Sequence, residues 1–274
     1  CLKTHPRCKA KGADYAPTRL LHVNKDGQLQ LRFQTDIPTG ARYVALSHRW
    51  GEKRDSCCVT TRTNIEERKN NIPWDELPKV FDDAIKLAIG LGVSYIWIDS
   101  LCIVQDDAED WEREATNMVR IFSNALVTIA ALRSRAPQES MFDHDAVFQQ
   151  NEADESLLLC RAWAFQDCLV SARIAHIGTQ EIAFECRERR VCEDDDWHDM
   201  VEQFSMLKLS NEKDRLIALG GYAQQYAQAH PGQQYLAGSW SGNLSHHLLW
   251  TRHAPTPSVP GVSVCIAPSW SWAS

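Results

Sequence analysis

Two polar clusters stand where apolar, strand-like runs end, and one carboxylate stands in the segment that follows. Ser47-His48-Arg49-Trp50-Gly51 closes the run Tyr43–Leu46, Asp99-Ser100 closes Tyr95–Ile98, and Glu114 follows Trp111 by three residues. Their types suit binding of a sugar, base or phosphate. Ser47 and Arg49 suit phosphate or ribose oxygens, Trp50 suits stacking on a base, and Asp99 accepts from ribose hydroxyls. Cys102 beside His48 has the makings of a nucleophile and base for acyl transfer. Each has a plainer reading. Glu114 in the first turns of a helix favours its dipole or pairs with Arg49 in a buried ion pair. Asp99 caps the next turn. Trp50 and Trp111 pack as core, and Cys102, inside the run Leu101-Cys102-Ile103, is a small buried residue.

The elements that position these groups alternate. Tyr43–Ser47 reads as a strand, Trp74–Leu91 as a helix entered near Pro78 and ended by Gly90 and Gly92, and Tyr95–Ile98 as a strand. A second helix follows the acidic lead Asp106-Asp107. Its Trp111, Ala115, Met118, Ile121 and Phe122 recur at helical period. Leu126–Leu132 is a buried-type strand. Strand, helix, strand, helix, strand over 43–132 predicts an α/β fold with a mainly parallel sheet and right-handed crossovers. In such a sheet ligands bind at the strand ends where these clusters collect.

Around that core the chain is expected to form a single domain over 1–274, with an N-terminal arm and hairpin over 1–42 and an extension over 160–274. Thr18–Val23 and Leu29–Phe33 flank Asn24-Lys25-Asp26-Gly27, a hairpin turn signal. Cys1, His5 and Cys8 are three potential metal ligands without a fourth or a C-x2-C spacing, so they read as incidental thiols of an N-terminal arm and no metal site is expected. Cys57-Cys58 read as structural. Ser134–Leu157 is a polar loop. Arg161 to Ser171 reads as a helix, with Arg161, Trp163 and Gln166 bracing the sheet edge. Arg173–Ile177 and Glu181–Cys186 read as strands, Asp194–Met206 as amphipathic, and Asn211–Ala229 as a helix weakened at Gly220-Gly221. His246-His247 lacks a third metal ligand.

Composition bounds the function. The 274 residues are 44% apolar, enough for a substantial core. A net charge of −7 excludes a basic nucleic-acid surface. No run of 18 apolar residues predicts a membrane span. Ten scattered cysteines point to reduced thiols in a cytoplasmic protein. Ten tryptophans point to a rigid aromatic core. No signal peptide is visible, and a chain starting at Cys1 is expected to be trimmed.

Tyr43–Gly51, Leu77-Pro78, Asp83-Ala84-Ile85, Tyr95–Ile103 with Gln105-Asp106-Asp107, Asp110-Trp111 and Glu114 together resemble the fungal heterokaryon-incompatibility domain. Arg161-Ala162-Trp163, Gln166, Ser171 and Arg173 resemble the segment after its core. Asp214-Arg215-Leu216, Ala237–Trp240, Leu249-Trp250 and Pro268–Ser274 resemble its C-terminal companions. His48 stands where an aromatic is commoner, and Asp167-Cys168 where an acidic–basic pair is usual.

The resemblance implies non-self recognition in which an incompatible partner triggers cell death. It also implies protein partners or self-association; no nucleic-acid or membrane partner is expected, and no cofactor, NAD entering only as a substrate in the second reading below. That family is similar in turn to Toll/interleukin-receptor (TIR) domains, which implies a flavodoxin/TIR-like sheet flanked by helices, with extra C-terminal β and α elements packed on it. Some TIR domains cleave NAD with a glutamate three residues after a tryptophan, the spacing of Trp111 and Glu114. Such cleavage passes through an oxocarbenium-like state beside one carboxylate, and a cationic leaving group needs no acid. The three readings are a signalling module, an NAD glycohydrolase using Glu114, and a metabolic enzyme using Cys102 and His48. The second expects Ser47, Arg49, Asp99 and Glu114 to line one open cleft, with Glu114 at most partly buried.

Overall fold

A computed structural model describes residues 5, 8, 15–50, 58–132, 134, 136–142, 162–178, 182–186, 197–207, 209, 212–244, 248, 250 and 267–273. Packing divides the chain into two compact units, Cys1–Leu159 with Asp167–Val191, and Cys160–Gln166 with Cys192–Ser274.

The first unit is built on a seven-stranded sheet in the order β2-β1-β4-β3-β5-β6-β7. Its strands are β1 (Arg19–Val23), β2 (Leu29–Phe33), β3 (Tyr43–Ser47), β4 (Tyr95–Ile98), β5 (Val127–Ala130), β6 (Arg173–Ile177) and β7 (Ile182–Cys186). The central four, β4-β3-β5-β6, are mutually parallel. The β1–β2 hairpin and β7 add antiparallel strands on either side. Every residue of β3 and β5 is buried, as expected for strands covered on both faces.

The helices of this unit are α1 (Ile65–Asn70), α2 (Lys79–Gly90), α3 (Asp99–Cys102), α4 (Ala108–Asn124) and α5 (Ala162–Val170), the last beginning in the second unit. Pro78 stands at the N-cap of α2, where its missing N–H costs nothing. Gly92, at φ 72°, takes the left-handed turn after it. Asp107 caps α4, its carboxylate accepting from the N–H groups of Glu109 (3.1 Å) and Asp110 (3.2 Å).

Side-chain contacts fix which face each helix covers. Tyr43 donates to the Ile121 carbonyl at 2.5 Å, and Trp97 meets Phe122 edge-on at 5.4 Å, so α4 covers the Tyr43/Trp97 face. Thr128, in register with Ala45 on that face, shares a hydrogen bond of 2.6 Å with Ser171 just past α5. Phe81 of α2 packs edge-on to His48, whose side chain leaves β3 on the opposite face. The sheet is therefore covered on both sides.

Most expected elements are present. Three readings are corrected or extended. Asp99–Cys102, expected as loop, is one turn of helix. Residues 65–70, given no element, form α1. Gly220-Gly221 does not break α7 (Arg215–Ala229). Gly51, Cys57, Arg161, His246, His247 and most of Ser134–Leu157 lie outside the described residues.

In the second unit, α6 (Trp197–Ser205) and α7 accompany a ribbon of β8 (Tyr235–Leu236) and β9 (Ser239–Trp240). Trp197 is the hub of this unit. Its ring lies within 6 Å of the rings of Tyr222, Tyr226, Tyr235 and Trp240. The indoles of Trp197 and Trp272 both donate to the Gly238 carbonyl, at 3.0 and 2.9 Å. Ser271 donates to the Ala237 carbonyl at 2.6 Å. Trp197 and Trp240 are core residues of this unit, whereas Trp270 is exposed.

Candidate functional site

The order β4-β3-β5-β6 follows the flavodoxin-like start 2-1-3-4. Its direction reverses between β3 and β5, and in open α/β sheets the carboxyl ends of the strands at such a reversal are where ligands generally bind. The loop from Ser47 to Trp50 leaves β3 there, and Asp99 leaves the neighbouring β4.

Hydrogen bonds fix several of these residues. Asp99, with a quarter of its side chain exposed, accepts from Trp50 Nε1 at 2.7 Å through Oδ2 and from the Ser100 N–H at 2.6 Å through Oδ1. His48, buried against Phe81, brings Nδ1 to 3.8 Å from Asp99 Oδ1, an ion pair only when the ring is protonated. Ser47 is buried and donates to Asp167 Oδ2 at 2.9 Å. Arg49 is half-buried in the same loop. The structure thus brings Ser47, His48, Arg49, Trp50 and Asp99 to one strand-end cluster. Asp99, Arg49 and Trp50 are its partly exposed members.

For Glu114 the expectation of at most partial burial is corrected. It is 1% exposed. Its Oε1 sits 3.9 Å from Arg19 Nη2 and 3.7 Å from Arg113 Nε. Arg19 also pairs with Asp110 and donates to the Cys102 carbonyl at 2.6 Å, while Asp110 accepts from the Val104 N–H at 2.8 Å and pairs with Arg113. Burial pushes the Glu114 carboxyl above its usual range; Thr18 and Arg19 offset part of that, and Asp110 adds to it. Glu114 is at home in a buried ionic network that fastens α4 to β1. Its cation is Arg19 rather than Arg49.

Cys102 is corrected too. It is fully buried, and desolvation pushes its thiol up to about 12. A thiol in that state is neither nucleophile nor ligand contact. Trp111 is half-buried on α4.

Sequence reasoning missed Asp167 and Arg19. Asp167 was visible only as an unusual acid after Gln166. Arg19, a charge opening the apolar run Leu20-Leu21, was a sign that a buried anion faces it. Among the described residues His5 and Cys8 are joined not by Cys1, which lies outside them, but by Cys186.

The family model for "Heterokaryon incompatibility protein (HET)" matches residues 43–199, which hold β3 to β7 and the whole strand-end cluster. The chain belongs to the heterokaryon-incompatibility family. Comparison with curated proteins and with solved structures gives no match. In this HET chain the motif Ser47-His48-Arg49-Trp50 and the motif Ile98-Asp99-Ser100 are two halves of one hydrogen-bonded corner. No helix among the described residues is long and apolar enough to cross a membrane.

Proposed function

We propose that this HET chain is a signalling domain of fungal non-self recognition. It acts in the cytoplasm and triggers cell death by associating with a second copy or with an incompatibility partner. The observation that carries this reading is the seal on Glu114. The carboxylate best spaced for chemistry is 1% exposed among Arg19, Arg113 and Asp110, while at the strand ends Trp50 donates to Asp99 and Ser47 to Asp167. Those ties suit a surface of fixed shape better than a reacting centre.

An NAD glycohydrolase acting through Glu114 draws support from the flavodoxin-like strand order and from Trp111 three residues earlier. It needs the carboxylate to reach a ribose, and burial beside Arg19 opposes that. A metabolic enzyme using Cys102 and His48 needs a thiolate that burial disfavours.

The test pairs induced expression in a filamentous fungus with sedimentation of the purified chain. Induction is expected to arrest growth and kill cells, and the sedimentation coefficient is expected to rise with concentration. Harmless expression together with a strict monomer contradicts the reading.

A further inference from the structure

A second polar cluster lies at the opposite end of the parallel strands. His5 Nδ1 is 3.9 Å from Cys8 Sγ and 3.3 Å from Cys186 Sγ, and the three ligand atoms all lie within 4.8 Å of one another. We propose that His5, Cys8 and Cys186 bind a zinc ion that fastens the N-terminal arm to the edge of the sheet.

The distances fit that ion. Zinc bonds of about 2.3 Å to sulfur and about 2.0–2.1 Å to nitrogen, at tetrahedral angles, place S and N roughly 3.6 Å apart. The two observed separations bracket that value. Two thiolates with one imidazole are the soft and borderline donors that zinc takes, and carboxylates of the kind that hold magnesium or calcium are absent from the set. Three protein ligands leave one position for a water or a further side chain.

The surroundings are built to hold the ligands in place. The Cys8 N–H donates to the His5 carbonyl at 3.1 Å, a tight turn that brings both side chains to one side. Cys8 and Cys186 are 0% and 5% exposed. Arg173, directly opposite Cys186 in the β6–β7 register, donates to the Cys8 carbonyl at 2.5 Å and to the Leu126 and Ala125 carbonyls at the start of β5. One side chain thus fixes the backbone of a ligand from the arm against the strand that neighbours the other ligand. Such outer contacts commonly orient metal ligands. A metal clip between distant positions closes a long loop, which is where such a clip stabilises most. His5 and Cys186 are 181 residues apart.

The experiment uses the whole chain purified without chelator. Elemental analysis is expected to find about one zinc per chain. Cobalt added to stripped protein should give the intense visible bands of a tetrahedral thiolate site. Cys186→Ser and His5→Ala should each lower metal affinity by more than about tenfold, while Cys58→Ser leaves it unchanged. Circular dichroism checks that each variant is folded. Folded wild-type protein without cobalt bands overturns the proposal. So does a Cys8–Cys186 disulfide in thiol mapping of protein kept under reductant, or a folded Cys186→Ser that keeps the metal.

Discussion

Trp50 Nε1 donates to Asp99 Oδ2 at 2.7 Å, tying the loop that leaves β3 to the first residue of α3. A hydrogen bond to a carboxylate contributes about 1.5–3 kcal/mol, and the partial exposure of Asp99 places this one near the lower end. Asp99→Ala is expected to lower stability by about 1–2 kcal/mol in urea unfolding, with Asp99→Asn costing less because the amide oxygen still accepts. Equal stability of all three proteins would show that the corner is not held this way.

The Arg19–Asp110–Glu114 network carries a pH signature. The Glu114 carboxyl is raised above the ordinary carboxylate range by burial, so the folded state holds the proton more tightly than the unfolded chain does. The resulting stability is fully present below the ordinary, unfolded-chain value and is lost as pH rises through the raised folded value. Glu114→Gln has no proton to lose. Its stability relative to wild type should therefore improve from acid to neutral pH, measured as the difference in melting temperature. Arg19→Ala, by contrast, strands two buried acids and should cost about 3–5 kcal/mol at neutral pH.

Cys102 should stay unmodified by iodoacetamide in the folded chain and react only after denaturation, because burial holds its thiol near 12. Peptide mass mapping reads this directly. Rapid labelling of native protein at Cys102 would mean that the apolar wall around it opens.

Much of the α/β core was legible because period and punctuation agree in it. Tyr43–Ser47 and Leu126–Leu132 are apolar on both faces, and Pro78, Gly92 and Asp107 mark helix ends by their backbone chemistry. The strand-end cluster was legible for the same reason, since polar residues there follow apolar runs. Glu114 was not. Helical period places it near Trp111, but period alone does not reveal that Arg19, from a hairpin strand 95 positions earlier, lies beside it. The one-turn helix at Asp99 was equally hidden, because four residues carry no period. Asp167 became a partner of Ser47 only through the sheet order, which brings β3 beside β5 and under α5.

Gly238 has a backbone reason to be glycine. Its φ is 98°, and a Cβ there would run into the Trp272 indole. Backbone strain of about 1–3 kcal/mol adds to the clash. Gly238→Ala should therefore destabilise the second unit by more than about 2 kcal/mol. The loss should appear as an early tryptophan-fluorescence transition, since Trp197 and Trp272 share the Gly238 carbonyl.

The account turns on whether Glu114 serves architecture or chemistry. The most direct measurement is nicotinamide release from NAD by the purified chain, alone and artificially clustered, beside Glu114→Gln. The account predicts no release from either protein in either state. Release by the clustered wild type that disappears in a folded Glu114→Gln would contradict it.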